Sequence, residues 1–504
     1  MKGSTSVESE RKFEIPGDAP APPVETLPGV HGAGPGAVHR LEAVYFDTAE
    51  LSLAARGITL RRRTGGKDAG WHLKLPLGPD KRIEETEPLG SDAEEVPSRL
   101  REMVAAHVRG RPLTPVAKVE TVRRSTPLVG EGNSVLAEFS DDRVEAWSLL
   151  GAGAPLQWRE LEIELENGPE DLLDAAERLV GSHGGHRSAY TSKLARALGD
   201  SYPRAGTPSS PPRRKGPAAD VLLAYLRHQV EALKEMDPGV RRGEPRAVHQ
   251  MRVAARRMRS ALATYRRFAD RGAADRLREE LKWVAQSIGE ARDLEVMRER
   301  LEHAAAAEPP ELLMGPVVQR IDEELGARHH RAHASGLEAL AGERYFALLD
   351  ALEAFVEDPP LTDAGQRKAR KAVARRVSHD LDRLREAVAA AQDATGTQES
   401  DAALHEVRKC AKRLRYAAES ARPVHGKPAK RLAKDAKRIQ TILGDHQDSV
   451  VTRALLRELG TSAYLEGANA FSFGRLHANE QQRASEARAE FWRYWEHFNP
   501  KRLH

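Results

Sequence analysis

A basic segment that occurs twice is the feature that most constrains how this chain can fold. Residues 247–259 (AVHQMRVAARRMR) return as residues 403–415 (ALHEVRKCAKRLR), 156 positions later. Histidine and cationic residues stand at the same offsets in both copies, with apolar residues between them at helical spacing. Each copy therefore predicts a helix with one cationic face above an apolar face. The cationic faces are His249, Arg252, Arg256 and Arg259 in the first copy, and His405, Arg408, Lys412 and Arg415 in the second.

The repeated face carries no acidic residue to neutralise it. Stacked cations on one helix face repel one another by a few tenths of a kcal/mol per pair. A solvated basic face is the ordinary explanation for such a run. Because the pattern repeats with its histidine retained, we favour a face that binds an anion.

A second matched segment follows each copy, residues 281–293 and residues 436–448. The matched pairs are Lys282/Lys437, Gly289/Gly444 and Asp293/Asp448. We interpret the glycine and the aspartate as structural, since a glycine of this kind commonly marks a helix end. Two copies of the whole unit predict two small helical bundles with a pair of basic faces.

Net charge divides the chain near residue 200. Residues 1–200 hold 25 Lys/Arg and 32 Asp/Glu, net −7, whereas residues 201–504 hold 54 and 43, net +11. The basic part should attract polyanions. Long segments with helical apolar spacing predict an all-α domain over residues 218–500, divided by prolines that include Pro238, and the aromatic run 491–495 should belong to its core. Residues 201–217 have the composition of a linker.

Several classes of protein are disfavoured by composition. The single cysteine, Cys410, rules out a disulfide within the chain and suits a reducing compartment. We find no apolar run of membrane-spanning length and no signal-peptide core, and we expect a cytoplasmic protein without a membrane partner. Aromatic residues are 5% of the chain and absent from the repeated cationic positions, which disfavours specific nucleic-acid binding.

The acidic N-terminal part has strands whose second face is charged instead of apolar. Glu8, Glu10 and Lys12 lie on one side of a strand, because strand side chains alternate with period 2. The same alternation groups Arg61 with Arg63, His72 with Lys74, Arg82 with Glu84, and Glu160 with Glu162, Glu164 and Glu166. One such strand could face solvent. Together they bring carboxylates and cations into one interior, as a hard divalent cation and a multiply charged phosphate require.

Glu8-x-Glu10-x-Lys12 resembles the ExExK signature that opens CYTH domains, the triphosphate tunnel metalloenzyme family. Further motifs stand in family order over residues 4–200, at Tyr45–Thr48, Leu60–Arg63, Trp71–Lys74, Arg82–Glu84, Thr121–Arg123, Glu162–Leu165 and Ser192–Lys193. The resemblance implies an α+β domain built on an antiparallel eight-stranded β tunnel that binds triphosphates with Mg²⁺ or Mn²⁺ and in many members hydrolyses them.

Residue roles in the tunnel are carried over from this resemblance. It implies catalytic roles for Glu8, Glu10 and Lys12, and metal ligation by Glu8, Glu10, Glu162 and Glu164. It implies phosphate binding by Lys12, Arg61, Arg63, Lys74, Arg82, Arg123 and Lys193. Glu138 and Asp142 are weaker candidates for the tunnel site, and Glu84 is expected to have a supporting role there. The Pro- and Gly-rich residues 17–38 lengthen one connection and could form a lid or a passive loop.

The two basic repeats with their following segments look like a CHAD domain, a helical domain that commonly accompanies CYTH and binds inorganic polyphosphate. The resemblance implies polyphosphate contacts from His249, Arg252, Arg256, Arg257, Arg259, Lys282, His405, Arg408, Lys412, Arg413, Arg415 and Lys437. The histidines lack an Asp, Glu or Cys at i+3 or i+4 that would complete a metal site, so we expect phosphate-contacting or structural roles.

The whole chain is thus expected to be multidomain, a triphosphate tunnel followed by an all-α domain of two repeated helical bundles. We expect metal-dependent hydrolysis of inorganic tripolyphosphate or a related triphosphate, coupled to polyphosphate binding and association with polyphosphate granules. The alternatives are a non-catalytic polyphosphate-binding protein, a nucleic-acid-binding protein, and a nucleotidyl cyclase, for which the sequence shows no recognisable adenine site.

Overall fold

The chain forms two compact units, residues 1–207 and 208–504. The computed structural model describes residues 4–90, 95–151, 153–204 and 210–503. The expected linker, residues 201–217, falls across this division, and its residues 205–209 lie outside the described residues. No helix in the described ranges is both long enough and apolar enough to span a bilayer.

The first unit is a closed antiparallel barrel of eight strands, as expected. Its strands are β1 (Ser4–Glu14), β2 (Gly32–Ala33), β3 (Ala37–Asp47), β4 (Thr59–Thr64), β5 (Gly70–Pro76), β6 (Lys81–Glu87), β7 (Thr114–Val129), β8 (Val135–Ser148), β9 (Leu156–Leu165) and β10 (His186–Arg187). The barrel order is β1-β6-β5-β4-β3-β7-β8-β9, and β9 pairs back to β1. Two-residue strands β2 and β10 pair with β7 and β1 from outside this circuit.

In the described residues, four α-helices accompany the barrel: α1 (Ser98–Met103), α2 (Ala105–Val108), α3 (Asp171–Ser182) and α4 (Lys193–Leu198). The apolar faces of β1, β8 and β9 are covered by α3 together with Val24, Leu27 and Val30. These three residues are buried, so this part of the Pro- and Gly-rich connection is a fixed piece of the core and not a lid. A separate apolar cluster joins β4 and β5 to α1 and α2.

The second unit, as far as the structure describes it, is built of helices, as expected. Its helices are α5 (Ala219–Arg241), α6 (Pro245–Thr264), α7 (Arg271–Ser287), α8 (Gly289–Ala306), α9 (Val317–Ala341), α10 (Glu343–Glu357), α11 (Ala369–Asp393), α12 (Ser400–Ser420), α13 (Arg422–His425), α14 (Lys427–Leu465) and α15 (Phe471–Glu496). The repeated basic segments lie on α6 and α12, and these two helices contact each other.

One expected helix break is absent. Helix α5 continues through Pro238 to Arg241. Buried Asp237 accepts a hydrogen bond from Arg241 at 2.6 Å and one from Tyr345 at 3.0 Å, and Arg241 also donates to the Leu340 carbonyl. These bonds hold the last turn of α5 against α9 and α10, which offsets the hydrogen bond that proline cannot make.

The two repeats differ at their matched glycines. A break after Ser287 separates α7 from α8, which begins at Gly289, whereas Gly444 lies inside the continuous helix α14. A side chain at Gly289 would meet the Arg252 guanidinium at 2.8 Å, and one at Gly444 would meet Arg408 only at 3.8 Å. Each glycine therefore leaves room for the repeated arginine of its own half, more tightly in the first half.

Candidate functional site

The barrel encloses a cavity of about 240 Å³ lined mainly by charged side chains. Every residue of this unit for which the resemblance implied metal or phosphate binding lines it: Glu8, Glu10, Lys12, Arg61, Arg63, Lys74, Arg82, Arg123, Glu162, Glu164 and Lys193. Glu84 and Glu138 line it as well. In β1 the alternation of inward Glu8 and Glu10 with outward residues follows from the period-2 pleat. The structure thus brings together residues that lie up to 185 positions apart in the chain.

Carboxylates converge where β1, β9 and β8 run side by side. Glu10 lies opposite Glu164, and Glu164 lies opposite Glu138 on its other side. Cross-strand neighbours of like charge are unfavourable unless a cation joins them. Burial, a hydrogen bond with Glu84 and the charges of Glu84 and Glu164 raise the pKa of Glu8 to about 8, against the opposing ammonium of Lys74. Burial also raises the pKa of Glu164.

This arrangement fits a divalent cation. Closely spaced carboxylate oxygens are the ligands that hard cations such as Mg²⁺ and Mn²⁺ take, and their mutual repulsion is what such a cation relieves. Glu8, Glu10 and Glu164 are buried or half-buried in the tunnel and would hold it. Burial and neighbouring carboxylates raise the pKa of both Glu8 and Glu164 and so disfavour their ionised forms, a cost that a bound cation would offset.

Glu10 and Glu162 have a different environment, since both contact Lys12. The Lys12 ammonium lies 2.9 Å from Glu10 and 2.6 Å from Glu162. Burial opposes ionisation of Glu10, but Lys12 and Lys74 outweigh it and lower its pKa to about 2. Glu162 also contacts Arg123 and Lys193, and despite burial these cations hold its pKa well below the usual range. Glu162 is therefore already neutralised by protein cations.

A second acidic group adjoins the tunnel cavity and is filled by Lys193. Asp142, Glu160 and Glu162 place carboxylate oxygens within 4.8 Å of one another, a spacing suited to a metal ion. The Lys193 ammonium lies 2.9, 2.5 and 2.8 Å from these three residues in turn. Burial opposes its charge, but the three carboxylates raise the pKa of Lys193 well above its ordinary value. The ammonium stands where a cation would otherwise be needed.

Helix α4 explains why Lys193 reaches this position. Ser192 caps the helix by accepting a hydrogen bond from the Ala195 amide at 3.1 Å. Leu194 and Leu198 pack against Val144 and other buried side chains of the barrel. The capped first turn thereby aims Lys193 at the acidic group.

The β4 side of the tunnel is electropositive. Arg61 faces the Tyr45 hydroxyl at 3.5 Å and has no carboxylate within ion-pair distance in the described chain, while Arg63 pairs with Asp68. The Nε atoms of both arginines are buried without a hydrogen-bond acceptor. Buried donors of this kind are costly unless a ligand accepts from them, so this wall fits the oxygens of an anion.

Three lining or supporting residues received no functional role from the sequence: Tyr45, Asp68 and His72. Nδ1 of His72 lies 3.0 Å from a Glu84 carboxylate oxygen, and Nε2 lies 2.9 Å from the Asp68 carbonyl oxygen. Burial lowers the pKa of His72 to about 4, and a neutral ring, with one N–H, donates to only one of these two acceptors. Alternation within β5 placed His72 inside, but its partner on β6 depends on strand register, which no short motif encodes.

In the helical unit, the cations of the two repeats fall into a paired set and an unpaired set. Arg257 and Arg415 contact Glu419 at 3.2 and 2.8 Å, and Arg413 contacts buried Asp380 at 2.7 Å. Arg252 forms a forked pair with Asp293 at 2.7 and 2.9 Å, and the prediction that Asp293 is structural agrees with this contact. These four arginines already have protein partners.

The unpaired set consists of Arg256, Arg259, Arg408 and Lys412, none of which has a carboxylate within ion-pair distance in the described ranges. Their arginine Nε atoms are buried without acceptors. Burial and the charges of Arg408, Arg256 and Arg252 lower the pKa of Lys412 to about 7. Because cations of both repeats act on Lys412, the two basic faces meet in one region.

The remaining predicted contacts of this region lie around that centre. Arg252, Arg256, Arg259 and Lys282 line a cavity of about 520 Å³ between α6, α7 and α8. His249 is exposed, and burial together with Arg256 and Arg252 lowers its pKa. His405 bonds Gln447 at 2.6 Å, which favours the expected structural or phosphate-contacting role over metal ligation. Lys437 is exposed on α14.

Two family models match the chain, the CYTH domain over residues 6–198 and the CHAD domain over residues 224–457. Two Mycobacterium tuberculosis proteins, from strains CDC 1551 and H37Rv and both named only as uncharacterized, are 39% identical over 508 residues, which cover 96% of this chain and 94% of each relative. CYTH domains are metal-dependent and include triphosphatases and cyclases.

Solved structures give further likenesses. PptA from Streptomyces chartreusis is 26% identical over 56% of this chain and 99% of its own, with a TM-score of 0.48. The CHAD domain from the plant Ricinus communis is 23% identical over 59% of this chain and 97% of its own, with a TM-score of 0.47. With both domains matched in order and relatives aligned over nearly their whole length, the chain belongs to the CYTH–CHAD family of two-domain proteins.

Proposed function

We propose that the tunnel hydrolyses inorganic tripolyphosphate or a related triphosphate with Mg²⁺ or Mn²⁺, and that the helical unit binds inorganic polyphosphate. The observation that supports this most directly is the division of the tunnel into two walls of opposite charge. On one wall, burial and neighbouring carboxylates raise the pKa of Glu8 and of Glu164, and on the other the Nε atoms of Arg61 and Arg63 are buried without acceptors.

On the acidic wall, Glu8, Glu10 and Glu164 would hold the metal ion. When bound, such an ion neutralises phosphate charge and lowers the pKa of a coordinated water. The protein's own part is to position and neutralise the substrate. Arg61 and Arg63 would hold phosphate oxygens, and burial together with the charges of Arg61 and Arg123 lowers the pKa of Arg63. Burial of these cations strengthens each contact by excluding water.

Lys12, Lys74 and Arg82 are expected to change partners when substrate enters. Lys12 and Arg82 lie 2.9 and 3.3 Å from the Glu10 carboxylate, and Lys74 lies 2.5 Å from the Glu8 carboxylate. With Glu8 and Glu10 engaged by an ion, Lys74 and Arg82 would be free to contact phosphate oxygens, while Lys12 would keep its contact with Glu162. Substrate and metal should therefore bind together rather than independently.

In the helical unit, Arg256, Arg259, Arg408 and Lys412 are the proposed core of the polyphosphate site. Unpaired, partly buried cations on two touching helices fit a ligand that is a charged backbone without bases. We propose that the paired arginines Arg257, Arg413 and Arg415 shape this surface more than they bind the ligand. Cytoplasmic polyphosphate granules are the place where such a surface would locate the protein.

The deciding experiment measures phosphate release from tripolyphosphate, long-chain polyphosphate, ATP and thiamine triphosphate with Mg²⁺ or Mn²⁺. We expect turnover of tripolyphosphate or another triphosphate by the full chain, abolished in Arg61→Ala and retained in Lys412→Glu. Long-chain polyphosphate binding should be retained in Arg61→Ala and weakened in Lys412→Glu. Binding without turnover of any substrate would instead favour the non-catalytic polyphosphate-binding protein.

A further inference from the structure

A cavity of about 670 Å³ lies in the helical unit, away from the repeated basic segments. It is enclosed by the start of α14, the start of α11, the end of α15 and residues 497–503. No residue of the four repeated segments lines it. Its volume falls in the range of roughly 300–1,000 Å³ that small-molecule sites occupy.

The wall of this cavity has a large excess of positive charge. Six cationic side chains line it, Arg214, Arg370, Lys427, Arg431, Lys501 and Arg502, against the single carboxylate of Asp435. Arg502 is held by Asp382 at 2.7 Å. Within the described ranges, Arg214, Lys427, Arg431 and Lys501 have no ion-pair partner at 4 Å or less. A bound anion would supply the missing charge.

The backbone adds to this electropositive character. Helix α14 is 39 residues long and begins at the cavity without a side-chain cap, after Gly426 at φ 56°. Helix α11 also begins there, but its first two amides, those of Ala369 and Arg370, already donate to the Gly216 and Arg214 carbonyls. The Nε2 atom of buried His425 lies 3.0 Å from the Arg370 carbonyl, which ties the two helix starts together. The uncapped start of α14 favours phosphate oxygens and reinforces the side-chain charge.

An aromatic and apolar wall completes the cavity. Tyr494 and Phe498 pack together with ring centroids 6.3 Å apart, and both line the space beside Val424 and Leu432. Leu503 is buried and anchors the terminal segment over this wall. An inorganic phosphate chain has no group for such a surface, whereas a nucleobase stacks on aromatic rings.

From these features we infer that the cavity binds a nucleoside diphosphate or triphosphate. Its phosphates lie at Lys427, Arg431 and the start of α14, and its base lies on Phe498 and Tyr494. This site is separate from the tunnel and from the repeated basic faces. It would allow the helical unit to respond to nucleotides independently of polyphosphate.

The test measures ADP binding by isothermal titration to the full chain carrying Arg61→Ala, in EDTA, so that the tunnel contributes little. We expect about one ADP per chain, with affinity reduced at least about tenfold by either Arg431→Ala or Phe498→Ala. Lys430→Ala is the matched control, because Lys430 is exposed on the same turn of α14 and does not line the cavity. The ADP affinity of the chain carrying Lys430→Ala should stay within about twofold of that of the Arg61→Ala chain.

Three results would overturn the inference. The first is absence of saturable ADP binding in the Arg61→Ala chain. The second is ADP binding that Arg431→Ala and Phe498→Ala leave unchanged. The third is pyrophosphate binding as tightly as ADP with no effect of Phe498→Ala, which would make this a plain anion site. None of these results bears on hydrolysis or polyphosphate binding by the unmodified chain, so the proposed function is tested separately.

Discussion

The tunnel and the repeated helical faces both collect cations, but they neutralise them differently. In the tunnel, Lys12, Lys74, Arg123 and Lys193 each contact at least one carboxylate. On the helical faces, Arg256, Arg259, Arg408 and Lys412 contact none in the described part of the chain. Most tunnel cations are thus held in ion pairs, with Arg61 as an exception, whereas the helical faces hold unpaired cations flanked by the paired Arg252 and Arg415.

This difference indicates two modes of phosphate recognition. A ligand entering the tunnel must compete with protein carboxylates at most of its cations, and a metal ion held by those carboxylates would reduce this competition. A ligand reaching the helical faces replaces only water and counterions, so it needs no metal and binds less tightly as salt increases. Tunnel ligands should therefore depend on divalent ions, and helical ligands on ionic strength.

The largest expected effect concerns the ion pairs of Lys193, the most densely paired cation of the tunnel. Lys193→Met keeps the approximate volume but leaves Asp142, Glu160 and Glu162 buried without their shared ammonium. Breaking a buried pair from one side costs about 3–5 kcal/mol. We expect the free energy of unfolding of the barrel to fall by that amount in urea denaturation.

Two comparisons sharpen this result. Lys81→Met removes an exposed pair with Glu170 and should cost less than about 1 kcal/mol. Because the orphaned carboxylates of the Lys193→Met variant have metal-like spacing, millimolar Ca²⁺ should restore part of its stability and none of that lost in Lys81→Met. Equal stability losses in the two variants would show that the ion pairs of Lys193 stabilise the barrel no more than an exposed ion pair does.

The second prediction tests the acidic wall. Glu10→Gln removes one charge without changing shape, and we expect Mg²⁺-dependent phosphate release to fall by about 100-fold or more. Glu120→Gln is the control, since Glu120 is exposed on β7 and adjacent to the inward Thr121. Unchanged turnover in Glu10→Gln would remove Glu10 from the proposed metal site. Polyphosphate binding should be the same in the unmodified chain, Glu10→Gln and Glu120→Gln.

The sequence predicted much of this arrangement and failed where tertiary contacts decide. Period-2 alternation placed Glu8, Glu10 and Lys12 inside, and helical spacing placed the repeated cations on one face. Neither pattern shows which carboxylate meets which cation, because that depends on register across β1, β9 and β8. The filled acidic group at Lys193 and the continuation of α5 through Pro238 were unpredictable for the same reason, since distant residues determine both.

The third prediction compares two lysines of α12. Lys412 is half-buried among unpaired arginines, whereas Lys409 is exposed and paired with Glu406 at 2.5 Å. Lys412→Glu should weaken long-chain polyphosphate binding by about 10- to 50-fold, and Lys409→Glu by less than about threefold. Fluorescence anisotropy with labelled polyphosphate measures both at several salt concentrations. Equal losses would mean that general surface charge binds the ligand.

The smallest effect is a pH dependence that arises from Lys412. Burial and the charges of Arg408, Arg256 and Arg252, only partly offset by Asp448, lower its pKa to about 7. The unfolded chain keeps this proton at higher pH than the folded chain does. The folded state, which disfavours the charged amine, therefore gains stability as pH rises from about 7 toward the ordinary lysine range.

Polyphosphate reverses the balance at Lys412, since an adjacent anion favours the charged amine. Binding above pH 7 must then take up a proton, so affinity should fall by up to about tenfold between pH 6 and pH 8. Lys412→Arg keeps its charge throughout and should flatten this profile. Titration calorimetry in buffers of different ionisation enthalpy counts the protons taken up. A slope that persists in Lys412→Arg would assign the pH dependence to another group, and the exposed His249 on the facing helix is the next one to replace.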